Sequence, residues 1–300
     1  MQILSKNITK KEIVIAVITM IILALLFILQ FNIFIKELQK EPVVNIDADE
    51  SNPDHIKIFM QVTGIDPVKG DLQIRMLPDP EGNLTEDGYT LAKDVTIYTN
   101  SNSGRNEFNF AKGKRMNPFE VTVEMYDGFV MEYPYDKHTA DAELYVTSQE
   151  KDSAGQIKTV SIPIVKKTNF TTSIQGYKFT SVNEVVTEQG YTYLQLKLER
   201  ATSVKMFSWF IMLLFWFIAF AVILVVASIV IRKRKIEYSM FAFLSAMLFA
   251  LPALRNVQPF VPTIGCLADY IAFFWAEGIV AAGLVVMVFT WLKRPGAKQT

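Results

Sequence analysis

Three charged side chains lie within or at the ends of apolar segments near the C-terminus: Arg255, Asp269 and Glu277. Arg255 ends one apolar run and Asp269 opens the next, so these opposite charges are expected at one depth, where they can pair. At ~1.5 Å per helical residue, Glu277 would lie about 12 Å deeper than Asp269. A carboxyl group inside a bilayer is costly and often serves ion or proton movement. A structural hydrogen bond to a neighbouring helix, or a protonated carboxyl, is the alternative. We interpret the three as a candidate intramembrane polar cluster.

A second candidate is the segment Tyr133, Pro134, Tyr135 and Asp136, which lies between two strand patterns. Proline lacks the donor that a strand ladder requires, so it belongs at a strand edge or start. An aspartate side chain can close a turn. The sequence therefore favours a structural corner packed by two tyrosines over a ligand site.

Catalytic and metal-binding patterns have little support. The acidic run at residues 79–87 begins with calcium-loop spacing, but Leu84 occupies the position that needs glycine and Thr90 the position of the bidentate glutamate. We interpret it as a turn. His55 and His138 lack ligand spacing, and no hydrolase, nucleotide-binding or redox motif is present. The sequence predicts a protein that is not an enzyme, with no metal and no cofactor.

Long apolar runs with basic clusters beside them define the organisation of the chain. The runs span residues 13–35, 207–231, 236–254 and 267–292. The clusters are Lys6, Lys10 and Lys11; Arg232, Lys233, Arg234 and Lys235; and Lys293, Arg294 and Lys298. Each run approaches or exceeds the ~20 residues that cross a bilayer core. Basic clusters belong on the cytoplasmic side, which requires four crossings with both ends inside.

This topology assigns every segment to a side of the membrane. Residues 1–12 form a cytoplasmic N-terminus, residues 36–203 an exported domain, residues 255–266 a Pro-rich outer connection and residues 293–300 a cytoplasmic tail. The first run is too long for the apolar region of a signal peptide, and no small-residue cleavage site follows it. We therefore predict an uncleaved anchor.

The exported segment has the period-two alternation of β-strands, as in residues 56–62 and 119–126, with turn signals between the runs. This pattern predicts a β-sandwich. Residues 36–203 contain 18 Lys/Arg and 26 Asp/Glu, a net charge of −8, whereas the remainder has 12 and 4, a net charge of +8. An acidic domain argues against nucleic acid as a partner. Cys266 is the only cysteine, which fits a bacterial envelope protein better than an animal extracellular domain.

Residues 127–136, followed by residues 140–144, are similar to a segment of an uncharacterised family of bacterial membrane proteins, the domain of unknown function numbered 4436. A second similar run, Arg-Asn-x-x-Pro-x-x-Pro-x-Ile-Gly, lies within residues 251–265, and the similarity continues through residues 269–275. The order of anchor, β-rich exported domain and three further spans also resembles that family. The resemblance implies architecture over most of the chain, and it brings no catalytic residue with it.

Two function classes follow from these features. The first is a binding or accessory component of the cell envelope, expected in a bacterial inner membrane, whose partners are the lipid bilayer and another envelope protein. The second is a small proton-coupled transport component, motivated by Glu277 with Arg255 and Asp269, which would require a homo-oligomer because four spans are few for a transport path. A membrane-embedded enzyme is least favoured.

Overall fold

The computed structural model describes residues 10–39, 54–151, 156–165, 171–172, 174–186 and 190–294. The chain divides into two compact units, Met1–Glu41 and Pro42–Thr300. The first unit contains helix α1, Lys10–Gln39, which covers the first predicted span. Apolar side chains such as Met20, Leu25 and Phe27 are exposed on it. That α1 crosses the membrane stays a prediction, and residues 1–9 and 295–300 of the predicted cytoplasmic ends lie outside the described residues.

The second unit begins with a β-domain of short and long strands. The strands are β1 Ile56–Asp66, β2 Asp71–Pro80, β3 Val95–Thr99, β4 Glu107–Phe110, β5 Phe119–Asp127, β6 Lys137–Lys151, β7 Ile157–Ser161, β8 Ile164–Val165, β9 Thr171–Thr172, β10 Tyr177–Val186 and β11 Thr192–Arg200. Single turns of 3-10 helix occur at Gly82–Leu84 and Val130–Glu132. The β-rich prediction is confirmed.

The strands form one curled, mostly antiparallel sheet, with the order β10-β11-β6-β5-β2-β1-β8 along its spine. Strand β6 produces the curl because it changes partners along its length. Its first half pairs with β11 through the register Lys137↔Glu199 to Leu144↔Thr192, and its second half pairs with β3 and β7. The sandwich prediction is therefore confirmed in its coarser form, an all-β domain, which the described strands build as a single sheet that curls around its core.

Alternation decides which side chains enter that core. In β1, Ile56, Ile58, Met60 and Val62 are buried, while the residues between them are at least partly exposed. Strand β10 was not predicted from the sequence. A register shift between Phe179 and Ser181 interrupts its pairing with β11, and such a bulge breaks the period-two pattern on which strand prediction depends.

Three helices follow the β-domain: α2 Thr202–Ile231, α3 Tyr238–Asn256 and α4 Phe274–Lys293, which continues from a π-helical turn at Asp269–Phe273. In the described part of the chain, α2, α3 and α4 with its preceding turn are long and apolar enough to cross a membrane. A Cβ atom at Gly283 of α4 would lie 3.1 Å from Val222 of α2. A small residue at this point therefore allows the two helices to approach closely.

The two ends of this bundle differ in charge. At the end remote from the β-domain, Arg294 donates hydrogen bonds to the carbonyl oxygens of Arg234 and Ile229, each 2.6 Å long. The basic cluster between α2 and α3 and the basic end of α4 therefore lie together. The start of α2, the end of α3 and the start of α4 lie at the opposite end, beside the β-domain.

Candidate functional site

Strand register brings four segments to the end of the sheet that faces the helices. Tyr177 pairs with Arg200, and Lys137 pairs with Glu199, at the strand ends next to α2. Asp71 pairs with Glu124, so the β1–β2 turn lies near the end of β5. The start of β10, the end of β11, the β5–β6 loop and the β1–β2 turn therefore share this end.

At this end the inward face of the sheet changes from apolar to polar. Leu194, Leu196 and Leu198 of β11 lie in the core, and Arg200 continues the same alternating face. The same change occurs at the start of β6. Ala140 is buried in the core, and His138 and Asp136, two and four residues before it, are buried on the same face. Three polar side chains thus enter the interior beside the helices, in the positions that the core residues occupy elsewhere.

Arg200, Asp136 and His138 form a buried charged cluster. Arg200 Nε lies 2.9 Å from both carboxylate oxygens of Asp136. His138 Nε2 lies 2.9 Å from Asp136 Oδ2 and donates to it, because an ionised carboxylate only accepts. Burial alone would raise the pKa of Asp136, but the hydrogen bonds from His138 and Arg200 outweigh burial and hold this pKa below its usual range. The carboxyl group is therefore ionised at neutral pH.

Two tyrosine rings enclose the Arg200 guanidinium group. Its central carbon lies 4.3 Å from the ring centre of Tyr177 and 5.1 Å from that of Tyr133, within cation–π range. Arg200 Nη1 donates to the carbonyl oxygen of Phe260 at 3.2 Å. Burial raises the pKa of Tyr133 to about 12, so the phenol stays protonated. The cluster links the β-domain to the connection between α3 and α4.

Tyr133 extends the link into the helical bundle. Its hydroxyl group donates to the carbonyl oxygen of Pro259 at 2.9 Å and lies 2.6 Å from Ser208 Oγ. A phenol has one proton, so Ser208 is the donor in the second bond. The backbone oxygen of Tyr133 accepts from Ala268 N at 3.3 Å. One residue of the β-domain thus contacts α2, the α3–α4 connection and the approach to α4.

The predicted corner at residues 133–136 therefore has a different environment from the one expected. Tyr133 packs in the helical core and not in the sheet, and a cis peptide bond joins it to Pro134. Tyr135 accepts a hydrogen bond from Trp209 Nε1 at the start of α2. Asp136 holds Arg200 instead of closing a turn. The segment joins the β-domain to the helices.

Gly176, the residue just before β10, shapes the same contact. Its φ of +89° is a conformation that glycine adopts without steric cost. A Cβ atom there would also lie 2.5 Å from the ring of Phe260. Gly176 accepts a backbone hydrogen bond from Ala201 at 2.9 Å. Glycine at this position lets the α3–α4 connection lie directly against the β-domain.

The structure brings Arg255 and Asp269 together as a bidentate pair. Arg255 Nε and Nη2 donate to the two carboxylate oxygens at 2.9 and 2.8 Å. The backbone groups of Gly265 and Cys266 donate to Asp269 Oδ2 at 2.8 and 3.2 Å. Both charged side chains are buried. The pair closes the hairpin between α3 and α4.

Glu277 does not join that pair. No hydrogen bond within the described residues links Glu277 to Arg255 or Asp269. Its Oε2 atom is buried without a hydrogen-bond partner among them. The candidate cluster therefore separates into a closed ion pair and a lone carboxyl group further along α4.

A cleft on the β-domain was not anticipated from the sequence. Its volume is about 350 Å³. The lining residues are Arg105, Phe108, Asn109, Phe110, Ala111, Lys114, Arg115, Asn117, Pro118 and Phe119. Phe108 stacks on Phe119 with ring centres 4.1 Å apart, and the Arg105 guanidinium lies 4.7 Å from the Phe108 ring centre. The cleft combines an aromatic floor with basic groups in a domain of excess acidic charge.

The acidic run at residues 79–87 contributes to turns. Asp87 Oδ1 accepts from the backbone of Tyr89 and Thr90 at 2.9 and 2.6 Å. Asn83 donates to Asp54, and Glu81 pairs with Lys57. Within the part of the chain that the structure describes, no group of three His, Cys, Asp or Glu side chains could hold a metal ion.

Two family models match successive parts of the chain. Domain of unknown function DUF4436 matches residues 46–198, and domain of unknown function DUF8686 matches residues 200–294. No curated protein matches the chain. The first match covers the β-domain. The run within residues 251–265, which was expected to belong to the first family, falls instead within the second match. The border between the matches coincides with the buried cluster at Arg200.

Proposed function

The chain belongs to the DUF4436 family, and from its geometry we propose that it is a multi-pass membrane protein that presents its β-domain in one fixed orientation, as a binding or accessory component of the cell envelope. The junction at Asp136 and Arg200 carries this proposal. A domain that needs only an anchor can be joined to it by a flexible linker. Here Arg200, which Asp136 holds in place, donates to the Phe260 carbonyl oxygen, and Tyr133 bonds to Ser208 of α2 and to Pro259. Buried ion pairs add little net stability, and their best-attested use is to specify one arrangement.

The proposed topology places both chain ends in the cytoplasm and the β-domain outside. The basic residues gathered at the remote end of the bundle support it, because such residues are retained on the cytoplasmic side. Reporter fusions after Arg234 and Lys298 should be active in the cytoplasm, and a fusion after Gly176 should be active outside. Cytoplasmic activity of the Gly176 fusion would refute the topology.

Among the described residues of the β-domain, the cleft is the surface to which we assign a ligand. Arg105, Lys114 and Arg115 supply positive charge, and the phenylalanine rings supply a flat apolar floor. Guanidinium groups bind phosphate and carboxylate in bidentate geometry. We therefore assign to the cleft a ligand that carries an anionic group on a planar or apolar body.

This assignment predicts a measurable affinity. The whole protein in lipid nanodiscs should bind 1-naphthyl phosphate in a calorimetric titration. Replacing Arg105 and Arg115 by glutamine should weaken binding at least about tenfold, because charged hydrogen bonds are lost. Arg75→Gln is the matched control, since Arg75 is an exposed arginine on β2 outside the cleft lining. Equal affinity in all three proteins, or no binding by the unmodified protein, would reject the cleft as the site.

A second candidate function is proton-coupled transport by a homo-oligomer. One observation favours it, the buried Oε2 atom of Glu277 without a hydrogen-bond partner among the described residues. A carboxyl group in this setting, within an apolar span, can take up and release a proton. The ion pair of Arg255 and Asp269 does not contribute to this function, because its members are already satisfied by each other and by backbone groups.

A further inference from the structure

Two loops of the β-domain expose large apolar side chains toward the level at which the helices begin. Phe129 and Met131 of the β5–β6 loop are 73% and 52% exposed, and Val68 of the β1–β2 turn is 66% exposed. Water contact with large apolar groups is unfavourable. Three such groups on neighbouring loops indicate an interaction surface, which we call the loop edge.

Hydrogen bonds made by adjacent residues show at which end of the sheet the loop edge lies. Met131 precedes Tyr133 by two residues, and Tyr133 contacts Ser208 of α2 and Pro259. The β1–β2 turn lies beside the end of β5, because Met125 N donates to the carbonyl oxygen of Gly70 at 2.7 Å. Both loops therefore lie at the end of the sheet that meets the apolar helices.

Aromatic side chains mark the same level. Trp209, in the second turn of α2, donates a hydrogen bond to Tyr135 of the β5–β6 loop. Tryptophan and tyrosine collect at the boundary between the hydrocarbon core and the headgroups, where their polar atoms stay hydrated. The loop edge is thus continuous with the boundary of the membrane-crossing helices.

We propose that the partner of the loop edge is the interfacial layer of the bilayer, into which Val68, Phe129 and Met131 insert. Exposed charges of both signs lie beside these apolar groups, Glu132 in the β5–β6 loop and Lys69 in the β1–β2 turn, where Lys69 pairs with Asp66. Because their effects on anionic headgroups oppose each other, the attraction that we propose is apolar and does not require acidic lipid. Together with the buried junction, this contact would restrain the tilt of the β-domain relative to the membrane.

Site-specific fluorescence tests the proposal in the whole protein. Val68→Cys and Phe129→Cys are labelled separately with an environment-sensitive nitrobenzoxadiazole group in phosphatidylcholine nanodiscs. The native Cys266 is buried and should stay unlabelled, which also verifies folding of each variant. Tyr89→Cys is the control, because Tyr89 is 60% exposed and lies beyond the far end of the β1–β2 hairpin. At ~3.3 Å per strand residue, the two ends of β1 are about 30 Å apart.

Labels at positions 68 and 129 should emit at shorter wavelength than the label at position 89. They should be quenched by nitroxide-bearing lipid and several-fold less by aqueous iodide. If iodide reaches all three labels equally in nanodiscs, the loop edge does not enter the bilayer. Protection of positions 68 and 129 in native membranes, but not in nanodiscs, would instead assign the loop edge to a protein partner and overturn the proposal.

Discussion

Arg200→Ala should destabilise the protein by about 3–5 kcal/mol, because it removes one partner of a buried ion pair. The substitution leaves the buried Asp136 carboxylate with His138 as its one side-chain partner among the described residues. It also removes the hydrogen bond to Phe260 and the contacts with Tyr133 and Tyr177. Thermal unfolding in nanodiscs measures the loss. Arg75→Ala removes an exposed arginine from the same domain and should change the unfolding temperature little.

The same pair predicts a dependence on pH. The pKa of Asp136 is lowered in the folded protein, so its contribution to stability is present at neutral pH and is lost as pH falls through the carboxyl range. Asp136→Asn should be less stable than the unmodified protein at neutral pH, and the difference should shrink in acid. A difference that is constant with pH would show that ionised Asp136 does not stabilise the fold. A silent Arg200→Ala variant would show that the junction does not hold the β-domain.

Arg255→Ala should lower the amount of protein that accumulates in the membrane, because it leaves Asp269 buried without its bidentate partner. The cost is up to about 3–5 kcal/mol in a dry site and smaller where water enters. Quantitative blotting of the membrane fraction measures this loss. The double variant with Asp269→Ala should recover only part of it, because the backbone donors of Gly265 and Cys266 then lose their acceptor.

Glu277→Gln in α4 is the substitution to compare with Arg255→Ala. It preserves shape and hydrogen-bonding capacity, so accumulation should stay nearly normal. Under the transport hypothesis it should abolish proton uptake by proteoliposomes. If Glu277→Gln prevents folding while the Arg255 and Asp269 variants are silent, the structural and functional roles are assigned the wrong way round.

The sequence by itself determined the features that depend on local composition. Apolar runs at residues 207–231, 236–254 and 267–292 correspond to the three helices that are long and apolar enough to cross a membrane. Alternation located most strands and their inward faces. The Arg255–Asp269 contact could also be predicted from the sequence, because a short connection between adjacent helices must bring their ends together.

The inward orientation of Arg200 could likewise be predicted from the sequence, since Arg200 follows Leu194, Leu196 and Leu198 at period two. Its partner could not be predicted, because Asp136 lies 64 residues away, just before β6, and periodicity does not specify which strand pairs with β6. Tyr133 and Pro259 are separated by 126 residues. The change of pairing partners along β6 could not be predicted either, because it also depends on strands that are distant in sequence. Local patterns indicate which side of a helix or strand is buried. Only the packing of elements that are distant in sequence decides which residues cover that side.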